Sequence, residues 1–86
     1  MKLHNLKIKE EYATAKLYGN KMFEIRKNDR DFKVGDIVRY SVVYPNGKKP
    51  SLIYHAIEDK LFVITYITDF EQKNGFVVFG EKEIEK

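Results

Sequence analysis

Residues 19–30, Gly-Asn-Lys-Met-Phe-Glu-Ile-Arg-Lys-Asn-Asp-Arg, place eight polar or charged side chains around one short apolar segment. Lys21, Glu24 and Arg26 are the members best suited to chemistry. On an extended backbone successive side chains alternate between faces, so Glu24 and Arg26 share one side, about 7 Å apart at Cα, and Phe23 and Ile25 share the other. The apolar side is expected to join a core and the charged side to line a site. A guanidinium can stack on a ring or clamp an oxyanion, and a carboxylate can accept an amino or imino proton, so the pair suits a nucleobase or a phosphate. A structural ion pair covering a barrel opening would use the same two residues. Lys7, Lys21, Lys27 and Arg30 could contact a phosphate backbone without reading sequence. Asn28, Asp29 and Asp31 are loop-ordering residues that bond their own backbone.

Other chemistries find less to work with. Tyr12, Tyr40, Tyr44, Tyr54, Tyr66, Phe70 and Phe76 could supply one or two stacking platforms for bases, the remainder filling the core. His4 and His55 are two isolated histidines, short of the three or four convergent ligands of a metal site, so no metal and no cofactor is expected. Ser41, Ser51, Thr14, Thr65 and Thr68 form no Ser-His-Asp order, and the glycines form no phosphate-cradling loop.

Several elements must position these residues. Leu6 and Ile8 alternate with Lys7 and Lys9, predicting a strand with one dry and one basic face. Glu10 and Glu11 open a helix whose apolar stripe is expected from Tyr12, Ala15, Leu17 and Tyr18, and Gly19-Asn20 ends it in a left-handed cap. After the Lys21–Arg26 strand a polar loop leads to Phe32 and Val34, which return to the core. A turn at Gly35-Asp36 starts a third strand in which Val38, Tyr40, Val42 and Tyr44 face one way. Pro45-Asn46-Gly47 is a strong turn, and residues 48–60 read as a loop with about one helical turn. Leu61 to Ile67 is expected to be a central strand buried on both faces, and Phe76 to Phe79 another strand of that kind. One firm helix and five or six strands, arranged mostly as hairpins, predict a small mainly-β barrel. Pattern alone does not separate a PUA-like, an OB or an SH3-like barrel.

Eighty-six residues with 43% hydrophobic content and twelve aromatics specify one domain with one core. Cysteine is absent, which removes disulfides and thiolate chemistry and fits a reducing, cytoplasmic setting. The longest apolar runs, Leu61–Ile64 and Phe76–Phe79, hold four residues each, against the roughly 20 needed to cross a bilayer, so no membrane partner is expected. Residues 1–39 carry ten Lys or Arg against six acids, and residues 40–86 carry six against seven, so the net charge of +3 divides as +4 and −1. That asymmetry is the footprint expected for an anionic partner, and ordinary solubilising lysines would also produce it.

Gly19, Lys21, Glu24 and Arg26 together match the G-x-K-x-x-E-x-R signature of the ASCH (activating signal cointegrator homology) domain, and the chain resembles small stand-alone bacterial or phage members of that family. The likeness extends over His4 to Lys9, Glu24 to Phe32, Val34-Gly35-Asp36, Thr65-Tyr66-Ile67 and Gly75 to Val78, and departs from the pattern at residues 45–59. The resemblance implies a mixed, mainly-β PUA-like pseudo-barrel of five or six strands with one or two short helices. It also implies RNA, nucleotide or modified-nucleoside binding in a cleft beside the signature, with Lys7, Lys21, Glu24, Arg26, Lys27 and Arg30 as site residues. One branch of the family hydrolyses an acylated cytidine with a Lys, a Thr three residues later and a distant Glu. Here Lys21 is present but Glu24 stands where the Thr would be, so a binding module is the expected reading. A small hydrolase using Lys21 and Glu24 on a water, and a protein-interaction domain, are the alternatives.

Overall fold

The computed structural model describes residues 1–44 and 52–84. Its elements run β1 (Leu3–Lys9), α1 (Glu10–Leu17), β2 (Phe23–Lys27), β3 (Ile37–Val43), α2 (Leu52–Glu58), β4 (Leu61–Thr68) and β5 (Phe76–Ile84). The strands form one sheet in the order β1-β3-β4-β5-β2. The result is the expected mixed, mainly-β pseudo-barrel with two short helices.

The pairing is less hairpin-like than the sequence predicts. β1 pairs in parallel with β3, and only β4 and β5 are sequence neighbours joined as an antiparallel hairpin. A parallel pair needs a long crossover, and here α1, β2 and the following loop supply it. β4 is central as expected, but only one of its faces is deeply buried, through Phe62 and Ile64, while Thr65 and Tyr66 are exposed. β5 runs five residues past Phe79. Part of the 48–60 segment is a regular helix, α2, carrying buried Ile57, and the Pro45-Asn46-Gly47 turn lies outside the described residues.

Leu6 and Ile8 of β1, Val38, Tyr40 and Val42 of β3, Phe62 and Ile64 of β4, and Val77 and Phe79 of β5 make the inner face, roofed by Ala13 and Ile57 from the helices and sealed by Phe32. Val34, expected beside Phe32, is 62% exposed. The loop turns at Gly35, whose φ of +93° favours glycine and whose N–H donates to the Ile64 carbonyl at 2.8 Å. Asp36 then tucks in beside His4. Its carboxylate accepts from the backbone N–H of Lys2 at 3.0 Å and of Lys33 at 3.1 Å, and from His4 Nε2 at 2.8 Å.

Helix α1 corrects the sequence reading most sharply. Tyr12 and Tyr18 of the expected stripe are 43% and 74% exposed, and the buried positions are Ala13 and Lys16. Eight residues give barely two turns, so the face that packs is chosen by the partners on offer, and the partners for Lys16 are carboxylates. The cap behaves as predicted. Gly19 takes a φ of +78°, and the N–H groups of Gly19 and Asn20 close on the Lys16 and Ala15 carbonyls.

Candidate functional site

The outermost strands of the sheet are β1, which carries Lys7, and β2, which carries Glu24, Arg26 and Lys27, with Lys21 just before β2 and Arg30 just after it. The sheet curls until these edges approach, and one side chain bridges them: Arg26 Nη2 on β2 donates to the Lys7 carbonyl on β1 at 2.8 Å. A cleft of about 390 Å³ lies in this seam, lined by Lys7, Ile8 and Lys9 of β1, Tyr12 of α1, and Lys21 with Phe23 to Arg26. A second depression of about 380 Å³ adjoins it, shares Lys7 and Arg26, and adds Lys27, Asp29 and Arg30. All six predicted residues therefore border one continuous seam.

Their orientations differ from the expectation. Glu24 is only 4% exposed and points inward, whereas Phe23 and Ile25 are 43% and 57% exposed. Alternation separates the two faces of β2 correctly but cannot say which is inside. Here the charged side is the inner one, because α1 places the Lys16 ammonium beneath it and Lys21 and Arg26 close on Glu24 from either side.

Glu24 is saturated. Its Oε1 accepts from Arg26 Nε at 3.1 Å and Nη2 at 3.0 Å, and its Oε2 lies 2.5 Å from Lys21 Nζ and 2.9 Å from Lys16 Nζ. Burial alone would raise this carboxyl, but the Lys16 charge and the Lys21 and Lys16 hydrogen bonds outweigh it and hold it below the ordinary value. Lys16 continues inward to Glu81 Oε1, and Glu81 Oε2 accepts from the Tyr40 hydroxyl at 2.6 Å. For Glu81 burial prevails over Lys16 and Tyr40, and its carboxyl is raised. The Tyr40 hydroxyl is pushed upward by burial and by the negative charges of Glu81 and Glu24. The network holds three cations, Lys16, Lys21 and Arg26, against two carboxylates, Glu24 and Glu81, an excess of one positive charge beneath the cleft before Lys7 and Lys9 are counted.

Lys21 occupies the floor at the mouth. Its ammonium donates to the Phe23 carbonyl at 2.9 Å and lies 5.2 Å from the Tyr12 ring centroid and 5.1 Å from that of Phe23. Two half-exposed rings thus flank a cation. Asn28 behaves as a loop-ordering residue, its Oδ1 accepting the Phe32 N–H at 3.0 Å. Among the described residues no group of His, Asp and Glu could hold a metal ion, and no helix is long and apolar enough to cross a membrane.

Residues 3–81 match the protein family described as a domain of unknown function, DUF3850. The chain belongs to that family. No curated protein matches it. The matched span takes in the whole seam and the buried network beneath it, so the cleft lies within the family domain.

Sequence reasoning missed Lys9, Phe23 and Ile25 as cleft residues, and Lys16, Tyr40 and Glu81 as the support beneath. A usable signal exists for Glu81: Val77, Phe79 and Glu81 alternate on the inner face of β5, so extending the period past Gly80 puts a carboxylate in the core. Lys16 then becomes the cation within reach of it.

Proposed function

We propose that this domain binds RNA, or a nucleotide or modified nucleoside, in the β1–β2 seam. The observation that carries this reading is the composition of the cleft: the half-exposed rings of Tyr12 and Phe23 face a cationic floor made of Lys21 and Arg26, with Lys7 and Lys9 at the rim. Rings stack on bases of any identity and lysines meet phosphates, the pairing that single-stranded nucleic-acid sites use. The likeness of Gly19, Lys21, Glu24 and Arg26 to the ASCH signature, and through it to PUA-like domains, supports the same reading. In this account Glu24 does not read the base. It holds three cations in place, and Arg26 and Lys21 meet the ligand.

The hydrolytic alternative is weaker on the same geometry. Both Glu24 oxygens are already engaged and its carboxyl is held low, which leaves it a poor general base for a water.

The test is titration of the protein with labelled single-stranded RNA and with mononucleotides at about 50 and about 200 mM salt. Binding to RNA that falls steeply with salt is expected. An affinity indifferent to salt would replace this reading with a neutral small ligand, and the absence of any binding would remove it.

A further inference from the structure

The outer face of the sheet carries a second aromatic arrangement, which shares Phe23 with the cleft and adds Tyr66, a ring that does not line it. Phe23 on β2 stands directly across from Gly80 on β5, and Gly80 stands across from Tyr66 on β4. Phe23 and Tyr66 are 43% and 65% exposed, while Glu24, Phe79 and Glu81, at the alternate positions, are buried. Two rings therefore rise on the outer face two strands apart, and Gly80 between them contributes no side chain, leaving only the Thr65 hydroxyl beside the floor. At about 4.8 Å per strand the gap is about 10 Å, and its floor is the Gly80 backbone. A planar ring centred there would lie about 5 Å from each wall, within the range of offset stacking.

Two features keep this gap in being. Strict alternation after buried Phe62 and Ile64 would send residue 66 inward, but the register shift between Ile64 and Tyr66 leaves Thr65 and Tyr66 both exposed. Bulges commonly re-aim a side chain in this way. Gly80 has no positive φ to require glycine, and a Cβ there would meet Thr65 Oγ1 at 3.4 Å and Tyr66 Cβ at 4.0 Å, ordinary contacts. Neither backbone conformation nor crowding demands glycine at this site; what its missing side chain does is leave the floor open. Exposed lysines border the row on the same face, Lys27 paired across from Phe76 and Lys82 two residues beyond Gly80, and Lys21 lies over the Phe23 ring. Apolar walls within a basic rim complement a polyanion that carries flat rings.

We propose that Phe23, Gly80 and Tyr66 form a slot for one unpaired base of a single-stranded RNA whose backbone continues into the Lys21–Arg26 cleft, so that the ligand is an oligonucleotide rather than a free nucleoside. The inference rests on the reading of the cleft as a nucleic-acid site and extends it past the shared Phe23 ring to Gly80 and Tyr66.

The experiment compares a short single-stranded RNA of mixed sequence with a mononucleotide, for the wild-type protein and for Gly80→Val, which fills the slot, Tyr66→Ala, which removes one wall, and Lys7→Ala in the cleft. Gly80→Val and Tyr66→Ala are expected to weaken RNA binding about tenfold, the scale of one lost base stack, with mononucleotide binding and the urea midpoint little changed. If Gly80→Val fails to fold, Tyr66→Ala, at an exposed position, carries the test. RNA affinity that falls in Lys7→Ala but is untouched by both slot variants would sink the slot and leave the cleft reading standing. RNA bound no more tightly than the mononucleotide would also sink it, and RNA left unbound by the wild type removes both. Sedimentation of the same proteins supplies the last outcome: a wild-type dimer that Tyr66→Ala turns into monomer would make this face a contact between copies and overturn the proposal.

Discussion

Lys16 is the residue on which the interior turns. Its side chain is fully buried, with Nζ against Glu24 and Glu81 and 4.8 Å and 5.6 Å from the Tyr40 and Phe62 ring centroids. Removing one partner of a buried ion pair leaves the other uncompensated, at a cost of about 3–5 kcal/mol. Lys16→Met is therefore expected to lower the urea midpoint severely, and Lys16→Met with Glu81→Gln to recover part of the loss by removing one stranded carboxylate. A double variant no more stable than the single would show that the two do not couple. Asp36 makes the matching prediction for pH. Burial would raise its carboxyl, but the His4 hydrogen bond and the Lys2 and Lys33 N–H groups take it from 3.8 to about 2. A depressed carboxyl adds stability above its unfolded pKa that is lost as pH falls through the folded one, so this contribution should fade between about pH 4 and pH 2. Asp36→Asn should cost about 1–3 kcal/mol at neutral pH by leaving its three donors poorly matched. It should also flatten the acid limb of a plot of denaturation midpoint against pH; an unchanged limb would exclude Asp36 as its source.

At the scale of elements, the seam between β1 and β2 is where the barrel stays open. Every other neighbouring pair in the sheet is held by a backbone ladder, whereas these two edges meet through the Arg26 side chain, which binds Glu24 on its own strand and the Lys7 carbonyl on the other. A planar fork can serve two acceptors at fixed angles and an ammonium on a flexible stem cannot hold the same geometry. Arg26→Lys is thus expected to preserve the charge, to cost about 1 kcal/mol of stability, and to speed hydrogen exchange along β1 near Lys7 more than along β3. Uniform protection in both strands would mean that the bridge does not hold the seam. The same residue is proposed to meet ligand, so Arg26→Ala is expected to weaken RNA binding and to loosen this edge together. The helices explain why the seam is not closed by hydrogen bonds: α1 leaves the end of β1 and returns the chain to β2 at the far side of the sheet, so the two strands flank the helix and its Lys16 instead of pairing.

Taken as a whole, the molecule gathers its excess charge where its sheet is open. The first 39 residues, at +4, contribute β1, α1 and β2, and those three elements line the cleft. A domain of this size offers few phosphate contacts. If three or four of Lys7, Lys9, Lys21, Lys27 and Arg30 engage the backbone, log affinity should fall against log salt with a slope of about −2 to −3, at roughly −0.7 per contact on a single strand. Much of this was legible in the sequence. Period-two alternation gave the buried faces of β1 and β3, the glycine at position 19 gave the end of α1, and the cluster of Lys21, Glu24 and Arg26 gave the location of the cleft. These are local properties, fixed by backbone geometry and by neighbours within a few residues. Three things were not local. The parallel β1–β3 pairing and the open β1–β2 edges depend on which strands meet. The inward turn of Glu24 depends on Lys16, eight residues earlier, and the burial of Lys16 depends in turn on Glu81, sixty-five residues further along. Alternation divides a strand into two faces with equal ease whichever way it is rotated. Only the tertiary structure, by bringing a lysine and a second carboxylate beneath β2, made the charged face the cheaper one to bury and left Phe23 and Ile25 facing water.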